Sequence, residues 1–193
     1  MSMERPAEAV GLIESRLIHD GRIKVSVDRV RFPDGSEGEL EMIRHPGASA
    51  VLPVWGSLDE RDPEVVLIRQ YRYATDGYIY EVPAGTPEYV GEPWETCAHR
   101  ELEEETGLQA GKMLRLTEIY TTPGFTDEVI HLFVATELSE GSANLDADEF
   151  LEVCRFRLSE VLEMLRTGEI SDCKSVATIM CAAQFVIGRD PAA

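Results

Sequence analysis

The sequence predicts an α/β (α+β) protein in which an antiparallel β-meander precedes a domain built on a mixed β-sheet. Two turn signals, Asp20-Gly21 and Pro33-Asp34-Gly35, divide residues 10–44 into three segments in which apolar and polar residues alternate. Five short apolar runs follow, and a helix separates the third run from the fourth. Two segments with apolar residues at helical spacing close the chain.

The predicted meander has one apolar face, as in Ile23-Lys24-Val25-Ser26-Val27. Three strands of this kind do not form a core alone, so the meander must pack on the rest of the chain or on a second copy. We expect it to form the interface of a homodimer. The turn signal His45-Pro46-Gly47 gives a meander over residues 1–45 and a main domain over 46–193.

The main domain begins with apolar runs of strand length. They cover residues 51–54, 65–68, 78–82, 129–135 and 151–156. Ser159 is the predicted N-cap of the next helix, and a last helix covers the apolar residues from Val176 to Ile187. We interpret both terminal helices as structural and assign them no chemistry.

The composition excludes several classes of function. Asp and Glu number 36 against 18 Lys and Arg, which gives a net charge of −18 and argues against nucleic-acid binding. Four cysteines without a C-x-x-C pair are typical of reduced thiols in the cytoplasm. We expect no signal peptide, because the first residues, Met-Ser-Met-Glu-Arg-Pro, contain an acid and no apolar run follows them. We also expect no transmembrane helix and no membrane association, because the longest apolar stretch, residues 176–187, is short and interrupted.

The most informative segment is an acidic helix predicted over residues 93–106. Pro93 suits the first helical position, and Gly107 suits the left-handed residue that ends a helix. At about 100° per residue, Glu101, Glu104 and Glu105 fall on one stripe, and the intervening Glu103 points to the opposite side. The helix therefore presents three carboxylates together.

This stripe also contains Cys97 and Ala98, so it should face protein. Partly buried carboxylates three and four residues apart repel one another, and a divalent cation removes that conflict. Hard oxygen ligands without His or Cys favour Mg²⁺ or Mn²⁺, with the remaining positions left to water and substrate phosphate. The pattern predicts an enzyme that acts on phosphate esters, and a solvent-exposed acidic helix is the alternative.

The segment Arg-Glu-Leu-x-Glu-Glu-x-Gly-Leu over residues 100–108, preceded by Glu92 and Gly85, resembles the Nudix box, G-x5-E-x7-R-E-U-x-E-E-x-G-U with U apolar. The helical part matches in full. Six residues instead of five separate Gly85 from Glu92, which puts the shape of that loop in question. The resemblance implies an α/β/α sandwich and hydrolysis of a nucleoside diphosphate linked to another group.

The same resemblance implies roles for individual residues. Glu101 and Glu105 become the principal ligands of Mg²⁺, with Mn²⁺ as the other candidate. Glu104 assists them, and the carbonyl of Ala84 completes the ligands that the protein supplies. Arg100 becomes a positioning partner for a nearby glutamate.

Two segments outside the box are similar to those of ADP-ribose pyrophosphatases within the Nudix family. They are Gln70-Tyr71-Arg72, nine residues before Glu81, and residues 122–128, in which Pro123 lies sixteen residues after Gly107. This similarity implies cleavage of ADP-ribose or an ADP-sugar to AMP and a sugar phosphate, by a dimer that swaps its meanders. Another nucleotide sugar such as GDP-mannose, or a non-catalytic regulator that binds ADP-ribose, are the alternatives.

The candidate substrate-binding residues are Arg72, Arg44, Glu81 and Phe125. Arg72 suits a substrate phosphate, and a simple salt bridge to Glu81 is the alternative. We consider Arg44 as a residue that reaches the site from the partner subunit. Phe125 could stack on a base, although isolated aromatic residues are more often part of a core.

The catalytic base is sought in the acidic loop before a late strand, which the resemblance to the subgroup implies as its source. Glu149 is the first candidate, and Glu152 is the second because it begins the strand. Glu104 in the acidic helix is the third. A solvated acidic loop without a catalytic role is the alternative.

Overall fold

The computed structural model describes residues 10–21, 23–142 and 150–188. These residues divide into two compact units. The first contains the chain up to Pro46 together with Tyr120–Val129, and the second contains the chain from Gly47 to Ile119 and from Ile130 onward. No helix in the described residues is both long and apolar enough to span a membrane.

The first unit contains the predicted meander. Strands β1 (Gly11–Asp20), β2 (Lys24–Arg31) and β3 (Glu37–Arg44) form an antiparallel sheet in that order, which confirms the prediction. The segment Tyr120–Val129 lies along β3, since the N–H of Ile43 donates to the carbonyl of Phe125 at 2.7 Å. Several apolar side chains of β1 are exposed: Leu12, Ile13, Leu17 and Ile18.

The second unit contains a seven-stranded mixed sheet. Its strands are β4 (Ala48–Trp55), β5 (Glu64–Arg72), β6 (Gly77–Glu81), β7 (Ala84–Gly85), β8 (Leu108–Tyr120), β9 (Val129–Glu140) and β10 (Leu151–Arg157). The order is β10-β5-β4-β9-β8, with β6 beside β5 and β7 beside β4. Because β4 runs parallel to β9 and antiparallel to β5, the predicted mixed sheet is confirmed.

Strands β7 and β8 were not predicted. Strand β7 has only two residues, which is too short to produce an alternating pattern. Strand β8 is at the edge of the sheet and interrupts its apolar residues with exposed polar ones such as Lys112 and Glu118. Its pattern therefore lacks the continuous apolar run of a strand buried on both faces.

Three helices cover the two faces of the sheet: α1 (Trp94–Thr106), α2 (Leu158–Thr167) and α3 (Cys173–Phe185). Val51 of β4 packs in one apolar cluster with Leu102 of α1. Its neighbour Leu52 packs in a second cluster with Val161 of α2 and Ile179 of α3. Adjacent strand residues face opposite sides of a sheet, so this unit is an α/β/α sandwich.

The predicted ends of the acidic helix are right to within one residue. Helix α1 begins at Trp94 after Pro93, and Gly107 ends it in the left-handed conformation with φ 69°. The predicted N-cap Ser159 is wrong, because α2 already begins at Leu158. Ser159 instead donates to the carboxylate of Asp62 from its backbone N–H at 2.8 Å and from its hydroxyl at 3.0 Å.

Candidate active site

The acidic helix is fixed against the strand and turn that precede it. Helix α1 packs on β4 and on β7. The hydroxyl of Ser49 in β4 donates to the carbonyl of Trp94 at 2.8 Å. The thiol of Cys97 donates to the carbonyl of Gly85 at 3.5 Å. These bonds hold the first turns of α1 against β4 and against the Pro-Ala-Gly turn of residues 83–85, in which Ala84 and Gly85 form the short strand β7.

The same turn meets the carboxylates of α1. The backbone N–H of Ala84 donates to Oε2 of Glu105 at 2.9 Å, and Glu105 is 3% exposed. Glu101, which is 9% exposed, lies directly against Gly85, where an added Cβ would be 2.2 Å from its carboxylate. The turn at Ala84 and Gly85 therefore faces two buried acidic side chains.

Glu104 is more exposed than these two glutamates, and its carboxylate accepts from Arg100 at 2.8 Å. The carboxylate of Glu103 instead accepts from the side-chain amide of Gln109 at 2.6 Å. Glu101 and Glu105 are buried, which contradicts the alternative that the acidic residues of α1 form only a solvent-exposed surface.

Arg100 connects the glutamates of this region. Its guanidinium donates to Glu101 at 2.7 Å and to Glu104 at 2.8 Å, and it also contacts Glu92 at 3.3 Å. Burial opposes ionisation of Glu92, but hydrogen bonds from Arg100 and from the N–H of Glu88 lower its pKa. A further bond to the carbonyl of Thr86 at 2.8 Å ties Arg100 to the loop that carries the extra residue.

The donor atoms beside Ala84 and Gly85 are carboxylate oxygens, the hard type that Mg²⁺ and Mn²⁺ prefer. Burial raises the pKa of Cys97 to about 11, so this thiol is neutral near pH 7 and adds no soft ligand. Within the described residues, no three His, Cys, Asp or Glu side chains converge on a common metal position. Instead Arg100 and the N–H of Ala84 engage the carboxylates of Glu101 and Glu105.

A second charged cluster lies around Glu81, whose side chain is 2% exposed. Arg72 donates to both oxygens of this carboxylate at 2.7 Å, and Lys174 contacts one of them. Burial opposes ionisation of Glu81, but the bonds from Arg72 and the charge of Lys174 hold its pKa below the ordinary value. The salt bridge between Arg72 and Glu81 is therefore present.

Lys174 was not predicted from the sequence, since α3 was interpreted as structural only. Its charged group is placed by Asp172, the N-cap of α3, whose carboxylate it contacts at 3.0 Å. Lys174 and Glu81 are 93 positions apart, and no local pattern links them. The spacing Asp-x-Lys at a helix start indicates that Asp172 and Lys174 can meet, but it carries no signal for Glu81.

The other candidates belong to other elements of the chain. Arg44 and Phe125 belong to the first unit, where Arg44 forms ion pairs with Asp28 and with Asp127. Glu152 lies in β10 opposite Arg69, with 3.7 Å between the charged groups. Glu149 lies outside the described residues.

The fold and the two buried glutamates can now be compared with known proteins. A family model described as NUDIX domain matches residues 45–176, and the chain belongs to the NUDIX family. This assignment confirms the resemblance that the box residues suggested.

The chain is also similar to individual proteins. It is 42% identical over 159 residues to a Bacillus subtilis (strain 168) protein named ADP-ribose pyrophosphatase, covering 81% of this chain and 83% of the relative. It is 40% identical over 170 residues to a Bacillus methanolicus protein named methanol dehydrogenase activator, covering 86% and 89%. A Shigella flexneri protein named GDP-mannose pyrophosphatase is 34% identical over 184 residues, covering 88% and 92%.

The fold is also found among solved structures. A crystal structure described as an ADP compounds hydrolase superimposes with a TM-score of 0.77 at 22% identity. The match covers 94% of this chain and 96% of the other chain. It confirms the predicted fold class.

Proposed function

We propose that this enzyme hydrolyses the diphosphate of ADP-ribose or a related nucleoside diphosphate sugar, giving AMP and a sugar phosphate. The observation that carries the proposal is the buried pair Glu101 and Glu105, held by α1 against the turn at Ala84 and Gly85. The relative named ADP-ribose pyrophosphatase, at 42% identity, supports the choice of substrate.

The reaction depends on Mg²⁺, with Mn²⁺ as the other candidate cation. Glu101 and Glu105 are its principal ligands, Glu104 assists, and the carbonyl of Ala84 completes the protein's share. When bound, the cation neutralises charge on the diphosphate and favours attack by water. The hard oxygen donors of α1 and the neutral Cys97 thiol support this choice of metal.

Arg72 binds a substrate phosphate in this proposal. Its side chain is 42% exposed, while the carboxylate of Glu81 fixes one edge of the guanidinium. A guanidinium held this way can offer its remaining N–H groups to a phosphate. Arg44, reaching in from a second subunit, and Phe125 remain candidates for contacts with the substrate.

A carboxylate activates or orients the attacking water. Glu149 is our first choice, followed by Glu152 and then Glu104. Glu152 forms an ion pair with Arg69, which explains its presence without a catalytic role. This supports placing Glu149 before Glu152.

GDP-mannose is the second candidate substrate, supported by the 34% identical relative named GDP-mannose pyrophosphatase. A regulator that binds ADP-ribose without cleaving it is a third candidate. The relative named methanol dehydrogenase activator keeps that candidate open at 40% identity. The complete set of glutamates on α1 favours catalysis.

We further propose that the enzyme is a cytoplasmic homodimer that acts on a small molecule and binds neither nucleic acid nor membrane. The meander of residues 1–45 forms the dimer interface, and residues 46–193 form the catalytic domain. The exposed apolar side chains of β1, such as Leu12 and Leu17, support the interface. The four cysteines are free, which supports a reducing compartment.

The test replaces Glu105 by Gln and measures release of AMP and ribose 5-phosphate from ADP-ribose with Mg²⁺ and with EDTA. We expect the variant to lose activity by about 100-fold or more. Glu103→Gln is the matched control, because Glu103 contacts Gln109 rather than the turn at Ala84, and it should retain activity.

Unchanged turnover in Glu105→Gln would remove the catalytic assignment. A panel of nucleotide sugars, including GDP-mannose, then decides the substrate by comparing kcat/KM. Tight binding of ADP-ribose without Mg²⁺-dependent turnover in the wild-type protein would instead establish the regulator.

A further inference from the structure

We propose that Lys174 is a positioning residue for substrate binding. Its ammonium compensates the buried charge of Glu81, so that the positive charge of Arg72 remains available to attract a substrate phosphate. The proposal rests on the proposed function, because it deepens the role given there to Arg72. It assigns chemistry to the last helix, which the sequence pattern indicated as purely structural.

The first turn of α3 is fixed directly beside Glu81. The carboxylate of Asp172 accepts from the backbone N–H of Ser175 at 3.0 Å and from its hydroxyl at 2.6 Å. The oxygen of that hydroxyl accepts in turn from the backbone N–H of Val82 at 2.9 Å. Because Val82 follows Glu81, these bonds set the distance between α3 and the buried carboxylate.

Lys174 is therefore a largely buried cation in a fixed place. Its side chain is 12% exposed, and its ammonium contacts both Glu81 and Asp172. A buried ammonium on a flexible stem is costly unless it is paired, and here it has two carboxylates. The position of Lys174 is thus determined by partners on two elements.

Lys174 offsets one negative charge in the ion-pair cluster that it forms with Arg72, Glu81 and Asp172; the carboxylate of Glu105, which also acts on Arg72, lies outside this cluster. Arg72 and Lys174 carry two positive charges, and Glu81 and Asp172 carry two negative charges. Without the ammonium of Lys174 the cluster would carry a net charge of −1. The charge of Arg72 would then be offset by Glu81 alone, and the net negative charge of the cluster would repel an incoming diphosphate.

Arg72 is the member of the cluster that can reach a ligand. It binds Glu81 through Nε and one terminal nitrogen, Nη2, while Nη1 has no hydrogen bond to any described residue. Its side chain is 42% exposed, whereas that of Lys174 is 12% exposed. The exposed cation therefore binds the phosphate, and the buried cation keeps Glu81 compensated.

The experiment compares Lys174→Met, which keeps the apolar stem, with Lys174→Arg, which keeps the charge. KM and kcat for ADP-ribose are measured with Mg²⁺, and the Kd of ADP is measured by titration calorimetry in the same buffer. We expect Lys174→Met to raise KM and Kd by about tenfold with kcat changed less than about threefold, because one charge near a phosphate has an effect of this order. Lys174→Arg should restore both values.

Lys112→Met is the matched control, since it removes one exposed positive charge from β8 and should leave KM and Kd unchanged. The double variant Glu81→Gln with Lys174→Met tests whether the loss of Lys174 lowers affinity through the uncompensated carboxylate of Glu81. Removing the carboxylate should recover part of the lost affinity, because the charge of Arg72 is then no longer offset by Glu81.

The outcomes separate this inference from the proposed function. If the wild-type enzyme cleaves ADP-ribose and Lys174→Met has wild-type KM and Kd, the inference on Lys174 fails alone. A fall in kcat or melting temperature with unchanged affinity also overturns it, because Lys174 is then a structural tie. If the wild-type enzyme cleaves no nucleotide sugar, the proposed function fails, and the Kd of ADP still decides the role of Lys174.

Discussion

Gly85 leaves the space that the carboxylate of Glu101 occupies. A Cβ built on Gly85 would lie 2.2 Å from the Glu101 carboxylate, closer than real Cβ atoms approach any neighbour. Glu101 is also held by Arg100 at 2.7 Å on the same helix, so it has little freedom to retreat. The glycine of the box thus lets the Glu101 carboxylate lie against the chain at residue 85, where a larger residue would displace it.

We predict that Gly85→Ala moves the carboxylate of Glu101 while the fold persists. A displacement of about 1 Å in a catalytic group costs about 100-fold in rate, so hydrolysis of ADP-ribose should fall by that order. The measurement is kcat/KM with Mg²⁺, together with a melting curve. Gly77→Ala is the control, because its added Cβ meets no atom within 4 Å, and an equal loss in both variants would contradict the explanation.

Arg100 pairs with three glutamates, Glu92, Glu101 and Glu104. We predict that Arg100→Met destabilises the protein by about 3 kcal/mol, since it removes the guanidinium that pairs with the buried carboxylates of Glu92 and Glu101. For a domain of this size the melting temperature should fall by about 6 to 12 °C in EDTA. The fall should be smaller with excess Mg²⁺, because a bound cation replaces part of the lost charge.

Arg166→Met is the control for this experiment. Arg166 pairs with Glu163 on the exposed surface of α2, so its melting temperature should stay close to that of the wild-type protein in both buffers. An equal loss for Arg100→Met with and without Mg²⁺ would show that the glutamates near Arg100 do not bind the cation.

Three glutamine variants distinguish the candidates for the catalytic base. Glu149→Gln should lower kcat by about 100-fold or more with Mg²⁺ affinity preserved, as expected for loss of a general base. Glu152→Gln should have a small effect, because Glu152 pairs with Arg69. Glu104→Gln should weaken Mg²⁺ affinity as well as rate. A loss below about threefold in Glu149→Gln would transfer the role to the variant with the largest fall in kcat.

Local chemistry made the acidic helix predictable. Pro93 and Gly107 act within their own turns, so the ends of α1 followed from the sequence to within one residue. The burial of Glu101 and Glu105 could also be expected, since Cys97 and Ala98 share their stripe and both are fully buried. Helical periodicity and end signals are properties of neighbouring residues.

Long-range packing made the remaining features unpredictable. The hydroxyl and N–H of Ser159 bond to Asp62, which is 97 positions away, so Ser159 did not act as an N-cap. Lys174 meets Glu81 across a similar separation. Such partners depend on how helices dock on the sheet, and a single sequence carries no signal for that choice.

The buried charge of Glu81 makes stability depend on pH. The pKa of Glu81 lies below its ordinary value of 4.5, so the folded form binds its proton more weakly than the unfolded chain does. The stabilisation is therefore fully present above pH 4.5 and is lost as the pH falls below this value through the folded pKa. Glu81→Gln leaves Arg72 and Lys174 without their shared partner at neutral pH.

We predict that Glu81→Gln is less stable than the wild-type protein by about 3 kcal/mol at pH 7, and that the difference shrinks below pH 4.5. The reason is that a protonated Glu81 and the neutral amide of the variant both leave the two cations unbalanced, so the two proteins converge in acid. Denaturant unfolding across the pH range measures this difference. Glu103→Gln is the control and should follow the wild-type curve; a difference for Glu81→Gln that stays constant with pH would refute the assignment of the stabilisation to the ionised carboxylate.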